Sequence, residues 1–155
     1  MEKLEEKLSK LKNILKDYNS TVIGFSGGVD STFLAKVAFD VLGSRLLAVT
    51  FRTPLTPDKE IQDAINYGKL INVNHRIIEI PSIEWLNENP KNRCYLCKKD
   101  LFSRLLSIAE KENYNVVIDG TNTSDMGYYR PGMKALKELG VKSPLLEAGI
   151  SKKDI

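Results

Sequence analysis

Ser26-Gly27-Gly28-Val29-Asp30-Ser31 follows directly on the apolar segment Thr21-Val22-Ile23-Gly24-Phe25 and opens a helical pattern running from Thr32 to Leu42. A strand-like segment, a glycine pair and a helix start, in that order, suit a loop that cradles phosphate. Gly27 and Gly28 let the backbone come close to an anion. The first N–H groups of the following helix have no intrahelical acceptor, point outward and carry the positive end of the helix dipole. The spaced glycine and Lys-Ser/Thr pair of a Walker A loop are absent, and so is a dinucleotide fingerprint. In this reading the hydroxyls of Ser26 and Ser31 add hydrogen bonds to phosphate, and Asp30 orders a magnesium ion or water. The amides of Gly27 to Ser31 face the anion, and an adenine lies near the end of the second strand at Thr50, Phe51 and Arg52.

Outward from that loop, strand and helix signals alternate. Leu4, Leu8, Leu11, Ile14 and Leu15 recur at helical spacing and predict a helix over residues 2–17. Apolar runs predict strands at 20–25, 45–51, His75 to Ile80 and Asn115 to Asp119, with a fifth at Ser143 to Leu146. Between them fall helices at 31–42, from Pro57-Asp58 onward with Ile61, Ala64, Ile65, Leu70 and Ile71 inward, and from Tyr95 to Glu112. This order predicts an α/β fold, a mostly parallel sheet with helices on both faces joined by right-handed crossovers. Ligands of such sheets sit at the carboxyl ends of the strands, where Ser26, Phe51 and Gly120 fall.

The 155 residues, 42% hydrophobic and 28% charged, suit one domain with one core. Residues 1–150 read as that nucleotide-binding domain. Gly149 then stops a helix, and Ser151 with Asp154 forms a capping-box-like start, so 151–155 read as the beginning of a further C-terminal segment, with a frayed polar tail as the alternative. A net charge of +3 tolerates an anionic nucleotide but falls short of a nucleic-acid-binding excess, so RNA or DNA is not expected as a partner. The N-terminal Met1 to Leu8 is charged and amphipathic, unlike a signal peptide or membrane span, which places the chain in the cytoplasm. Two cysteines without an export signal point to a reducing compartment, where a close pair is redox, metal-binding or catalytic.

That pair lies in Asn89-Pro90-Lys91-Asn92-Arg93-Cys94-Tyr95-Leu96-Cys97-Lys98-Lys99. Lys91, Arg93, Lys98 and Lys99, together with a helix N-terminus, would lower thiol pKa and raise the thiolate fraction. Cys-x-x-Cys alone serves zinc, an iron-sulfur cluster, redox chemistry or packing. Asp119-Gly120-Thr121-Asn122 follows the fourth strand, where a carboxylate and hydroxyl could meet a nucleotide and its magnesium. Arg130, between Tyr129 and Pro131, offers a planar fork for phosphate or carboxylate, and Arg93, Lys98 and Arg130 are the candidate substrate-binding cations. His75 is the only histidine, which excludes a His-rich metal site.

The loop Ser26 to Ser31 matches that of the PP-loop ATP pyrophosphatases, of adenine nucleotide alpha hydrolase-like fold. The resemblance implies ATP and Mg2+, and cleavage between the α- and β-phosphates. With the Cys94 segment, Asp119 to Asn122 and Tyr128-Tyr129-Arg130-Pro131-Gly132, the chain resembles the N-terminal domain of the ATP-dependent sacrificial sulfur transferases, the LarE family of nickel-pincer nucleotide biosynthesis. That resemblance implies adenylylation of a pyridinium mononucleotide carboxylate, followed by displacement of AMP by protein-borne sulfur to give a thiocarboxylate. Asp30, Cys94, Cys97 and Arg130 are its candidate catalytic residues. Some members sacrifice one cysteine; others hold a 4Fe-4S cluster on three, and Cys94 and Cys97 fit the cluster-bearing branch. The family's remaining cysteine lies beyond Ile155. A small-molecule nucleotide substrate, a sulfur-donor protein and a homo-oligomer are the expected partners. Competing readings are a tRNA 2-thiolation enzyme, an amide-forming PP-loop synthetase and a non-catalytic nucleotide-binding subunit.

Overall fold

The computed structural model describes residues 4–54, 56–81, 90–122 and 131–155, the side chains of 90–98 and 131–134 excepted. Its first helix, α1 (Leu4–Tyr18), buries Leu11 and Leu15 completely, and Glu5, Glu6 and Lys16 sit at the ends the helix dipole favours. After it come β1 (Thr21–Gly24), α2 (Val29–Leu42), a 3-10 turn (Gly43–Arg45), β2 (Leu46–Arg52), α3 (Asp58–Ile71) and β3 (Asn74–Glu79). Then follow α4 (Pro90–Glu112), β4 (Val116–Ile118), α5 (Pro131–Leu139), α6 (Pro144–Glu147) and a 3-10 turn (Lys152–Asp154).

All strand pairs are parallel, and the order in the four-stranded sheet is β3-β2-β1-β4. Alternate residues of one strand serve opposite faces. Ile23 and Ala48 join Leu11, Leu15, Leu34 and Ala64 from α1, α2 and α3. Val22, Leu47, Val49 and Val117 join Phe102, Leu105 and Leu136 from α4 and α5. Helices therefore cover both faces, as the alternating pattern predicts. The chain moves outward from β1 through β2 to β3, then crosses back to lay β4 on the other side of β1. The crevice between β1 and β4 is thus the topological switch point, where a parallel sheet opens a ligand site at its carboxyl edge.

Three details differ from the sequence reading. Residues Ser143 to Leu146 do not make a fifth strand: Pro144 cannot donate to a ladder but suits the first turn of a helix, and α6 begins there. One bridge, Ile118 to Lys142, remains beside β4. Leu70 is 80% exposed, because Ile61, Ala64, Gly68 and Ile71 define the buried stripe of α3 and Leu70 lies off its phase. The long helix α4 begins at Pro90 rather than Tyr95, again with proline in a first turn.

The Ser151 capping box does form. Asp154 Oδ2 accepts from the Ser151 amide and hydroxyl at 3.0 and 3.1 Å and from Lys7 Nζ at 3.1 Å, while Ile155 packs on the α1–α2 core. Among the described residues no helix is long and apolar enough to cross a membrane.

Candidate nucleotide site

Gly27 has φ +79°, and a Cβ there would stand 2.8 Å from the backbone nitrogen of Ala64 in α3. The loop is therefore pressed onto a helix that only a glycine can approach. Gly28 is different: φ −72° and ψ 166° are ordinary extended values at the cap of α2, and its nearest neighbour for an added Cβ is Ser26 Oγ at 3.3 Å. Inside the loop the Ser26 amide donates to Ser31 Oγ at 3.3 Å, the two hydroxyl oxygens lie 3.1 Å apart, and the Gly28 amide donates to Ser26 Oγ at 3.2 Å. Ser31 is buried, and Val29, Asp30 and Ser31 form the first turn of α2, ahead of its first i−4 bond from Thr32 to Gly28 O at 3.0 Å. The loop is held from within, and the first amides of α2 have no intrahelical acceptor.

The other wall comes from the turn after β4. Asp119, 6% exposed, accepts from Thr121 Oγ1 and Ser143 Oγ at 2.6 Å each. Its carboxylate is thus a brace between the turn and the start of α6. Gly120 lies against α2, where a Cβ would meet Ser31 N at 3.2 Å. Asn122, fully buried, donates from Nδ2 to Asp30 Oδ2 at 3.0 Å. The remaining oxygen, Asp30 Oδ1, is buried with no hydrogen-bond partner among the described residues. An unsatisfied carboxylate oxygen is costly, and a hard oxygen donor beside helix-start amides fits a phosphate-bound magnesium ion. ATP and magnesium therefore fit the residues present: amides and hydroxyls of Ser26 to Ser31 for phosphate, Asp30 for the cation.

At the end of β2, Phe51 turns toward the α4 side and is half-buried, while Arg52 is exposed. Thr53 and Thr56 close the next turn with hydroxyl oxygens 2.9 Å apart. Thr50, by contrast, is buried, its hydroxyl 2.6 Å from Phe25 O and 2.7 Å from His75 Nε2.

Burial lowers the pKa of His75. A histidine held neutral in the native state stabilises it fully above the unfolded value of about 6.5, and that contribution is lost as pH falls through the window toward the lower native pKa, because the unfolded chain then takes a proton the native chain refuses. Urea midpoints are expected to fall between pH 8 and pH 5.5, with a shallower fall in His75→Gln; identical pH profiles for the two proteins would contradict this.

Of the remaining candidate residues, Arg93, Cys94, Cys97 and Lys98 lie in the first turns of α4, whose backbone alone is described there. Arg130 lies outside the described residues. Gly24, at the end of β1, faces Phe102 and Leu105 of α4, with the Phe102 ring 3.0 Å from an added Cβ. Because α4 runs back along the sheet, the backbone of Cys94 and Cys97 stands beyond Phe102 toward the carboxyl edge, the edge that carries the phosphate loop. The sequence reading missed the Asp119 brace, the Ala64–Gly27 contact and the Thr50–His75 pair. One signal was available: Gly68 within a helix marks a close approach, here to His75 Nδ1, 3.0 Å from an added Cβ.

Residues 2–128 match the NAD synthase family. The chain is 42% identical to an uncharacterised Synechocystis protein across 98% of its own length and 58% of that protein's. It is 35% identical to the pyridinium-3,5-bisthiocarboxylic acid mononucleotide synthase of Lactiplantibacillus plantarum, across 100% of this chain and 57% of that one. The chain thus spans under three fifths of the length of these relatives. Among solved structures, an NH3-dependent NAD synthetase from Campylobacter jejuni superposes with TM-score 0.70 at 19% identity, covering 97% of this chain and 79% of that one, a likeness of fold.

Proposed function

The chain belongs to the NAD synthase family of PP-loop, ATP-using proteins, and we propose that it is the ATP-binding part of a sulfur transferase acting on a carboxylate of a pyridinium mononucleotide. What supports this reading is the Cys94–Cys97 pair in the first turns of α4, the helix whose Phe102 lies against Gly24 at the end of β1, just ahead of the Ser26–Ser31 loop. An amide-forming enzyme has no use for a thiol pair there. The likeness to the Lactiplantibacillus synthase, named for a bisthiocarboxylic acid mononucleotide, supports the same substrate class.

In the reaction a substrate carboxylate oxygen attacks the α-phosphorus of ATP, the α–β bridging P–O bond breaks, and pyrophosphate leaves with the electron pair. The loop amides and the hydroxyls of Ser26 and Ser31 hold the departing phosphates, and Asp30, oriented by Asn122, would hold a magnesium ion that offsets their charge. Arg93, Lys98 and Arg130 neutralise the anionic substrate. A hydrosulfide held at Cys94 and Cys97 then attacks the acyl carbon, the C–O bond to AMP breaks with the electron pair leaving on AMP, and the S–H proton is lost to give the thiocarboxylate. Cys94 and Cys97 supply only part of the thiolate set a cubane cluster takes from protein, so this chain's own donors do not complete a cluster site. Residues 1–150 act as the ATP-binding domain in this reading.

The family match also favours a second reading, amide formation with ammonia as nucleophile. Incubating the chain with ATP, magnesium, a carboxylated pyridinium mononucleotide and either sulfide or ammonium separates the two by mass spectrometry of the product. Thiocarboxylate is expected from sulfide; amide from ammonium, with no thiocarboxylate, would replace this reading with the second.

A further inference from the structure

Three strands contribute to one run of hydrogen bonds beneath the loop. Phe25, the first residue past β1, is buried, and its carbonyl lies 2.6 Å from the hydroxyl of Thr50 in β2. Thr50 Oγ1 lies in turn 2.7 Å from His75 Nε2 in β3. Proton counting fixes the direction. A carbonyl only accepts and a hydroxyl has one proton, so Thr50 donates to Phe25 and the proton between Thr50 and His75 belongs to Nε2.

The imidazole is fixed on both sides. Phe25 meets it edge to face, with centroids 5.3 Å apart and planes at 89°. Gly68 of α3 closes on Nδ1, and Ala64, one turn earlier on the same helix face, is the residue against which Gly27 is pressed. One helix face therefore touches both the ring and the loop. The Phe25 carbonyl and the Ser26 amide belong to one rigid peptide plane. Orienting the carbonyl also orients the Ser26 N–H, which donates to Ser31 Oγ at 3.3 Å at the start of α2.

We propose that His75 and Thr50 are positioning residues for the nucleotide loop: the His75 Nε2–H fixes Thr50, Thr50 fixes the Phe25–Ser26 peptide plane, and that plane sets the loop that receives phosphate. This rests on the reading of Ser26–Ser31 as the ATP site. Desolvation of the ring supports it by favouring the neutral imidazole.

Calorimetric ATP titrations of Thr50→Val, Thr50→Ser, His75→Phe and His75→Gln test the relay. Loss of one such bond is expected to weaken binding about tenfold in the Val and Phe variants. The Ser and Gln variants, which keep a hydroxyl and an N–H donor, should remain within about threefold of wild type. Ile150→Val, a truncation of a buried residue remote from the loop, should lower the melting temperature while leaving ATP affinity unchanged, which separates positioning from plain stability. Wild-type affinity in folded Thr50→Val and His75→Phe would overturn the proposal. Nitrogen-15 NMR of the sole histidine at pH 8 reads the relay without substitution: the Nε2–H tautomer is expected, with its resonance moving on ATP addition, and the Nδ1–H tautomer would overturn it. Wild-type protein showing the expected tautomer but binding no ATP would refute the ATP reading, and the positioning role with it, while leaving the hydrogen-bond run standing.

Discussion

Alanine in place of Gly27 is expected to abolish measurable ATP binding and to destabilise the fold by about 2–3 kcal/mol. The residue stands at φ +79°, and the new methyl would meet the backbone of α3 at 2.8 Å, an obstacle no side-chain rotation relieves. Gly28→Val should separate the two effects. Its backbone angles are open to any residue, and an added Cβ meets only the Ser26 hydroxyl at 3.3 Å. Stability should therefore change by less than about 1 kcal/mol, as at ordinary surface positions, while the valine side chain blocks the approach of phosphate. Calorimetry and thermal melting of both variants check this, and unchanged ATP affinity in Gly28→Val would contradict the assignment of the loop.

Cys94→Ala and Cys97→Ala are each expected to abolish sulfur transfer while leaving ATP affinity within about threefold, since separate sites without shared partners act independently. The pair lies on α4, while the phosphate loop lies between β1 and α2. Thiocarboxylate formation and ATP titration, measured on the same preparations, check the split. Full thiolation by the double variant would remove the pair from sulfur delivery and move the chemistry toward amide formation.

Much of the architecture was legible because local and global signals agreed. The glycine pair after Phe25, the apolar runs of β1 and β2 and the periodic stripe of α3 each specify their element without help from distant residues. Position in the sheet was less legible: β4 lies beside β1 rather than β3, and a right-handed crossover in that reversed direction puts α4 on the face opposite α2 and α3. Ser143 to Leu146 read as a strand because its apolar residues suit one, but Pro144 decides for a helix. Leu70 read as core because a short apolar run does not reveal the phase of a helix.

Within the site, the loop itself could be read from its residue types, whereas its supports could not. Asn122 reaches Asp30 across 92 positions, and Ser143 reaches Asp119 across 24, so no spacing rule links either pair. Asp119 looked like a ligand because a carboxylate after a strand suits one. Its two short hydrogen bonds from Thr121 and Ser143 make it a brace as well, and Asp30 Oδ1, buried beside the loop, has no hydrogen-bond partner among the described residues. The Thr50–His75 contact joins β2 to β3 through side chains that sequence alone describes as a strand threonine and a lone histidine.

The proposed reaction breaks the bond between the α- and β-phosphates of ATP. Chromatographic resolution of the nucleotide products, with ATP labelled at the α-phosphate and a carboxylated pyridinium mononucleotide as acceptor, reads the broken bond itself. Labelled AMP with unlabelled pyrophosphate is the expected result, and labelled ADP with orthophosphate as the primary products would contradict it.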